Sequence, residues 1–408
     1  MQQQKVIGDY LLTNKVLGSG NFAQVRLGQH RHTNQSVAVK VIDKTQLSKK
    51  MEKQLRFEVH LLRDVLRGHE GIVQLFDVVE EEDFVYLVME HINGGDLFDF
   101  LMSRGGKLAP SIVRLLFIQM AQALRFCHDK GVVHHDLKLE NLLIHLQHQQ
   151  NDSQESDDDE EEEENNQRLG NLFTVKVIDF GLAALCPSED SQLSKFCGTE
   201  SYCPPEILDG RRSYLGRKVD VYSLGVVLFA LLTGSFPFCP DDVNLQWQQQ
   251  TDFGFLSSLR FGSAASLEEQ QLLREAKDLV LQLLNPNAKL RPSLQQVLEH
   301  PFVSSSTISS SRKQQQQSPC KRKRGGETLR SVSFPKEDLV FCFDEELSST
   351  SGGEEEVKKQ QKEQSNKWRD CLLLDESDWE EYEEEEEEED DAWWSYGSMD
   401  EERSFFVA

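Results

Sequence analysis

The chain has no Cys-x-x-C pair and no cysteine–histidine cluster at metal-ligand spacing. Its eight cysteines (127, 186, 197, 203, 239, 320, 342 and 371) are scattered over 408 residues. That scatter disfavours a disulfide framework and a zinc site, and fits reduced thiols inside a cell. Long apolar runs are missing too. The most apolar stretch, VYSLGVVLFALLTG at 221–234, is too short to cross a bilayer and reads as a buried helix. The first ten residues, MQQQKVIGDY, hold no apolar core, so no signal peptide is expected. No repeat of about 20–50 residues recurs, which argues against a solenoid. We therefore expect a soluble protein without a membrane partner, resident in the cytoplasm and/or the nucleus.

Positive charge is scarce: 44 Lys and Arg face 70 Asp and Glu, a net charge of −26. The imbalance is local. Residues 151–164 hold ten acids and no base, and residues 304–408 hold 28 acids against 14 bases, which leaves about −2 for everything else. A nearly neutral body thus carries two acidic appendages. Such a chain lacks the phosphate-neutralising face that general nucleic-acid binding requires, so no nucleic-acid partner is expected.

What is present has a clear order. Residues 10–92 are strand-rich, with alternating runs such as NFAQVRLGQH, SVAVKVID and FVYLVMEHI, interrupted by one amphipathic helix around 48–67. From 96 to 145 helical spacing dominates, with Pro110 near the start of IVRLLFIQMAQALRFCH. A strand pair, LLIH and FTVKVID, is split by an acidic insert at about 147–168. Helices then resume as far as PFV at 301–303. Beyond 303 the composition shifts to Ser, Gln, Lys and Glu, which buries too little apolar surface to offset ordering entropy, so a largely disordered, regulatory tail is expected over 304–408. That tail nevertheless holds four of the five tryptophans, a KRKR run at 321–324 that resembles a nuclear import signal, and Ser333 in a basic LRSVSF context.

Two charges in the first region are odd alone and sensible together. Lys40 shares a strand face with Ala38 and Ile42. Glu58 lies on the apolar stripe of the helix QLRFEVHLLRDVL. Burying either charge unpaired costs several kcal/mol, roughly, so a strand–helix ion pair beside a cleft is the expected solution. Upstream, LGSGNFAQV at 17–25 is a glycine-rich turn, and Gly18 and Gly20 permit close approach of backbone to phosphate oxygens. A strand follows these glycines, so a dinucleotide-binding fold is disfavoured.

Further along come VVHHDLKLENLL at 132–143, VIDFGLA at 177–183, CGTESYCPPEIL at 197–208, DVYSLG at 220–225 and KLRP ending near Arg291. With the glycine-rich loop, VAVK and the helix glutamate, these motifs in this order resemble the eukaryotic protein kinase family over about residues 10–303. The serine/threonine type fits best, because DLKLEN places lysine two residues after the catalytic aspartate. The closest general look is that of the calcium/calmodulin- and AMP-kinase-related group. The resemblance implies an α+β, bilobal fold, with a small β-rich N-lobe at about 10–92 and a larger, mostly helical C-lobe at about 93–303.

It also implies the chemistry. Phosphoryl transfer demands positioning and charge stabilisation more than covalent work. ATP and Mg²⁺ would be the cofactors. Lys40, held by Glu58, would hold the α- and β-phosphates. Asp179 and Asn141 would hold magnesium. Asp136 would accept the substrate proton, Lys138 would neutralise the γ-phosphate, and Thr199 would bridge the last two. Leu17, Gly18, Ser19, Gly20, Asn21, Phe22, Ala23, Val25, Ala38, Met89, Glu90, His91 and Leu143 would complete the nucleotide pocket. Asp96 and Glu140, at two family positions, would favour protein substrates with basic residues upstream of the target, and Leu182 resembles residues associated with serine preference. A monomer is expected.

Departures are informative. Ala23 stands for the third glycine, where only a modest loosening of phosphate contact is expected, and Pro204 stands for an alanine and Tyr222 for a tryptophan, where repacking without inactivation is expected. The acidic insert reads as a solvated expansion, as a docking loop for a basic partner, or as the carrier of a phosphoacceptor at Ser156. His135 stands where most members carry an arginine that grips an activation-loop phosphate. Histidine lacks the bidentate fork. The usual phosphoacceptor position is Lys195. Acceptor and arginine are both missing, so an activation loop competent without phosphorylation is expected. The rival class is a pseudokinase scaffold acting through its acidic tail, and survival of Lys40, Asp136, Asn141 and Asp179 argues against it. A small-molecule kinase is disfavoured by GTESYCPPE.

Overall fold

A computed structural model of the chain describes residues 5–20, 23–146, 173–194, 198–210, 213–240, 242–262 and 266–304. The chain divides into one unit of Met1–Ser305 with Ser365–Ala408 and a second of Ser306–Gln364. Only the first contains described residues, so the expectations for the insert, for Lys195 and for the tail lie outside them.

The amino-terminal part is a six-stranded antiparallel sheet of β1 (Lys5–Ile7), β2 (Tyr10–Ser19), β3 (Ala23–His30), β4 (Ser36–Asp43), β5 (Leu75–Glu80) and β6 (Phe84–Glu90), in the order β1-β2-β3-β4-β6-β5. Period-two patterning gives it two different faces. One buries Ile7, Tyr10, Leu12, Val37, Val39, Tyr86 and Val88. The other buries Ile42, Val85 and Leu87 against Leu55 and Val59 of α1 (Lys49–His60). Helix α1 starts at Ser48, whose side chain accepts from the Met51 amide, so one otherwise orphaned donor is satisfied. A wider turn, Leu61–Val65, continues it into the core.

The rest is mostly helical: α2 (Leu97–Ser103), α3 (Pro110–Asp129), α4 (Pro205–Leu208), α5 (Gly216–Thr233), α6 (Val243–Thr251), α7 (Phe253–Ser258), α8 (Leu267–Leu283), α9 (Leu294–Glu299) and α10 (Pro301–Ser304). Pro110 occupies the first turn of α3, where its missing N–H costs nothing. Helix α5 contains the stretch flagged as most apolar. It is buried all round and packs on α3 and α8. No helix among the described residues is long and apolar enough to cross a membrane.

Short strand pairs carry the loops between these helices. β8 (Leu142–Leu146) pairs with β9 (Phe173–Val177), as the LLIH and FTVKVID runs suggest. β7 (Val132–Val133) pairs with β10 (Ala184–Leu185), and β11 (Gln192–Leu193) pairs with β12 (Tyr214–Leu215). One large core runs from Phe57 and Leu61 through α3 and α5 to Phe302. It contains Phe180 and joins the α1 region to the helical part.

Candidate active site

The sheet register builds one wall of a cleft. Val25 is opposite Lys40, and Lys40 is opposite Leu87; Ala38 is opposite Met89. Side chains on one face recur every second residue, so Val25, Ala38, Lys40, Leu87 and Met89 share the face on which α1 packs. Lys40 Nζ meets both carboxylate oxygens of Glu58, at 2.8 and 3.0 Å, and Asp179 at 3.3 Å. Burial by itself would lower the Lys40 ammonium, but the Glu58 and Asp179 carboxylates overcome it and raise it above its ordinary value. Burial pushes Glu58 up, with Lys40 opposing, and the Lys40 field holds Asp179 down. The expected strand–helix pair is therefore present.

Leu17, Gly18 and Ser19 end β2, and Gly20 donates its amide to the Ala23 carbonyl at 2.8 Å, closing the turn. Asn21 and Phe22 lie outside the described residues. Ala23 starts β3 without disturbing its pairing to Ile42. Met89 and Glu90 end β6, with His91 next. The Glu90 side chain pairs with Lys176 at 2.7 Å, so only its backbone can serve a nucleotide. Burial lowers His91. Leu143 sits on β8 opposite Lys176.

The second wall is the loop after β7. Asp136 receives three donors: Thr199 Oγ1 at 2.7 Å, Asn141 Nδ2 at 3.1 Å and Lys138 Nζ at 2.9 Å. Lys138 also donates to Thr199 Oγ1 at 2.9 Å, so Thr199 bridges the two as expected. Asn141 gives its Nδ2 to the Asp136 carbonyl at 2.8 Å as well. Its amide hydrogens are thus committed to Asp136, which leaves the carbonyl oxygen for another group. Gly198 makes this approach feasible. Its φ is +102°, and a β-carbon there would lie 2.7 Å from the His135 carbonyl oxygen.

His134 is fully buried. Its Nε2 donates to the Ile178 carbonyl at 2.9 Å, its Nδ1 accepts from the Asp136 amide at 3.3 Å, and its ring meets Phe180 edge-on at 4.9 Å. One histidine therefore ties the Asp136 loop to the Asp179 turn. Both outer residues sit in the left-handed region, His135 at φ +64° and Asp179 at φ +59°. Such backbone costs about 1–3 kcal/mol and persists only where its surroundings over-determine it. For His135 that constraint is Asp220, whose carboxylate accepts from the His134 amide at 2.8 Å and the His135 amide at 2.9 Å and meets His128 Nε2 at 2.9 Å.

Several contributors escaped the sequence reading. Gln54 of α1 donates to the Gly181 carbonyl, fastening the helix to the Asp179 turn. Arg217 donates to the carbonyls of Cys186 and Pro187, and Lys218 pairs with Glu189 at 2.9 Å. Asp220 opens the DVYSLG motif, and a carboxylate within an otherwise apolar run is itself a signal of a buried anchor. Downstream, Glu206 and Arg291 form a buried bidentate pair at 2.6 and 2.7 Å.

The protein kinase domain model matches residues 11–303. The chain belongs to the protein kinase family. It is also 34% identical, over 306 residues, to a mouse protein described as testis-specific serine/threonine-protein kinase 3, covering 73% of this chain and 99% of that one. The protein is thus a serine/threonine protein kinase. It has the sheet-based lobe and helical lobe of that fold, and the family generally uses ATP and Mg²⁺. Among the described residues no cluster of His, Cys, Asp and Glu marks a further metal site.

Proposed function

We propose that this kinase transfers the ATP γ-phosphate to serine hydroxyls, and less readily to threonine, of protein substrates that carry basic residues upstream, and that it does so without a phosphate on its own activation segment. The single observation that carries the catalytic reading is the Asp136–Lys138–Thr199–Asn141 cluster facing the Lys40–Glu58–Asp179 cluster. Asp136 orients the substrate hydroxyl and takes its proton. Lys138 neutralises charge at the transferring group, and Lys40 grips the α- and β-phosphates with Glu58 holding it in place. The donor set of the Asp179 carboxylate and the Asn141 carbonyl suits a hard cation. Magnesium, when bound, supplies the charge that offsets the phosphates.

Substrate preference rests on two acids. The Asp96 backbone bridges to Leu143, which brings Asp96 alongside the turn Leu139–Asn141 that carries exposed Glu140. Burial pushes Asp96 up, yet the Asp99 amide at 2.8 Å steadies its charged form. Two such carboxylates favour arginine or lysine in a bound peptide.

Independence from phosphorylation is supported by the contacts that hold the segment after Asp179. β10 pairs with β7, β11 pairs with β12, and Arg217 and Lys218 clamp residues 186–189. The His135 ring packs edge-on to Tyr214. None of these needs a phosphate. We further place the kinase in the cytoplasm and/or nucleus, in the calcium/calmodulin- and AMP-kinase-related group, as a monomer with a basic protein as the partner of its acidic insert or tail.

The deciding test incubates phosphatase-treated protein with Mg-ATP and peptides that vary arginine before a single serine or threonine, with Asp136→Asn as control. Phosphate transfer that Asp136→Asn abolishes, and that survives dephosphorylation, is expected. Equal signal from both proteins would favour a scaffold. Loss of activity on dephosphorylation, restored by rephosphorylation at Ser194, would overturn the independent activation segment.

A further inference from the structure

A cavity of about 590 Å³ opens on the helical part of the kinase, lined by the end of α7, the loop after it and one side of α8. None of its lining residues belongs to the catalytic set. Its size suits a bound side-chain cluster or small ligand. Its chemistry is one-sided. Among the described residues Arg260, Arg274 and Lys277 line it beside Leu259, Phe261 and Leu273, and no carboxylate does. Among the described residues Arg260 has no ionic partner. Among those residues Arg274 is held by the neutral amide of Gln271, at 2.7 Å, and Lys277 Nζ lies over the Phe261 ring at 5.6 Å. Three cations gathered without a counter-charge repel one another and raise the local potential for an anion.

We propose that this cavity docks the acidic, tryptophan-bearing segment of the kinase's own tail, DESDWEEYEEEEEEEDDAWW at 375–394. The segment has fourteen acids and no base, so it matches the three cations. Trp379, Trp393 and Trp394 match the apolar floor of Leu259, Phe261 and Leu273. Reach is ample. The described chain ends in α10, which packs against α8, the helix that supplies Leu273, Arg274 and Lys277. Helix α8 has 17 residues and is therefore about 25 Å long. The chain between Ser304 and Glu380 spans up to about 250 Å if extended. Linkage through one chain gives an effective concentration of about millimolar, so weak contacts suffice. The insert at 151–164 is the other acidic candidate, but NDSQESDDDEEEEE has no apolar residue to fill the floor.

Carbodiimide cross-linking of the full-length protein tests this, because the reagent joins a carboxylate to an amine only when they touch. Lys277 is the amine in the cavity. After tryptic digestion, mass spectrometry should find Lys277 joined to the peptide that follows Arg369, with a yield independent of protein concentration. Raising salt to about 1 M, where the Debye length is about 3 Å, should cut the yield at least about tenfold. Arg260→Glu with Arg274→Glu should do the same while kinase activity persists. Should that double reversal fail to fold, the salt series on the unaltered protein reads the same contact. Linkage of Lys277 to 151–164 instead, linkage only between differently labelled copies, or no linkage at all would each overturn the proposal.

Discussion

The His135 ring meets the Tyr214 ring edge-on, with centroids 5.9 Å apart. Tyr214 belongs to β12, whose partner strand β11 contains Leu193 of the activation segment. A side chain at the position that usually reads a phosphate here reads an aromatic ring instead. Tyr214 is buried in one cluster with Cys203, Ile207 and Val219, against which Leu193 packs, so the contact joins the catalytic loop to a small apolar cluster that includes the segment.

That relationship predicts an energetic coupling. His135→Ala and Tyr214→Ala should each destabilise the protein, and the double variant should cost less than their sum by about 0.5–1.5 kcal/mol, the usual worth of an aromatic pair. Urea unfolding of the four proteins measures it. Additive costs would mean the rings are neighbours without an interaction. His135→Arg should lower activity or leave it unchanged, because Lys195 offers that arginine no phosphate.

Asp136→Asn preserves shape but removes the proton acceptor. Turnover should fall by about 10²–10⁴-fold, the range for loss of a general base. The Mg-ATP-induced rise in melting temperature should persist, since Lys40, Glu58 and Asp179 are untouched. Loss of both together would mean that Asp136 supports the nucleotide pocket rather than the transfer step.

Much of this site was legible in the sequence for a physical reason. Lys40 and Glu58 stood out because each is a charge on an apolar face, and each solves the other's desolvation. Thr199, Lys138 and Asn141 came with Asp136 through motif spacing. Tyr214, Gln54 and Arg217 did not, because their partners lie far away in sequence and no periodic pattern marks them. Tyr214 is one aromatic in a polar stretch, and Gln54 sits on a helix face that reads as solvent-exposed until the Gly181 carbonyl is brought to it. The sheet and the long helices follow from apolar periodicity, whereas the two-residue strands β7, β10, β11 and β12 are too short to carry any period.

Arg291 is buried against Glu206 and also donates to the carbonyls of Asn285 and Lys218. Arg291→Met leaves Glu206 buried without its counter-charge, which should cost about 3–5 kcal/mol. Combining it with Glu206→Gln should recover part of that loss. A melting series of the single and double variants decides; a single-variant loss below about 1 kcal/mol would show that Glu206 finds another partner.

Tyr222 fills the position of the family's usual tryptophan. It stacks on Phe238 at 6.4 Å and lies under the Arg291 guanidinium at 4.7 Å, the repacking that its substitution suggests. Its hydroxyl is buried without a hydrogen-bond partner among the described residues. Tyr222→Phe should therefore leave stability unchanged or raise it by about 1 kcal/mol, because an unsatisfied buried hydroxyl carries a desolvation penalty. A drop in melting temperature would reveal a partner for that oxygen.

Acid should release the catalytic loop through Asp220. Burial by itself would raise this carboxyl, but the His128 hydrogen bond and the fields of His128, His135 and His134 hold it down to about 2, against 3.8 ordinarily. A depressed carboxyl contributes stability that is fully present above its unfolded value and is lost as pH falls toward its folded value. The contribution, about 2 kcal/mol by linkage, should therefore be constant from neutral pH to about 5 and disappear between about 4 and 2. Asp220→Asn lacks this titration. The stability gap between parent and variant, read from urea midpoints, should stay level down to about pH 5 and narrow below about pH 4. A gap that held constant down to about pH 3 would mean that the amides of His134 and His135 draw no benefit from the charge on Asp220.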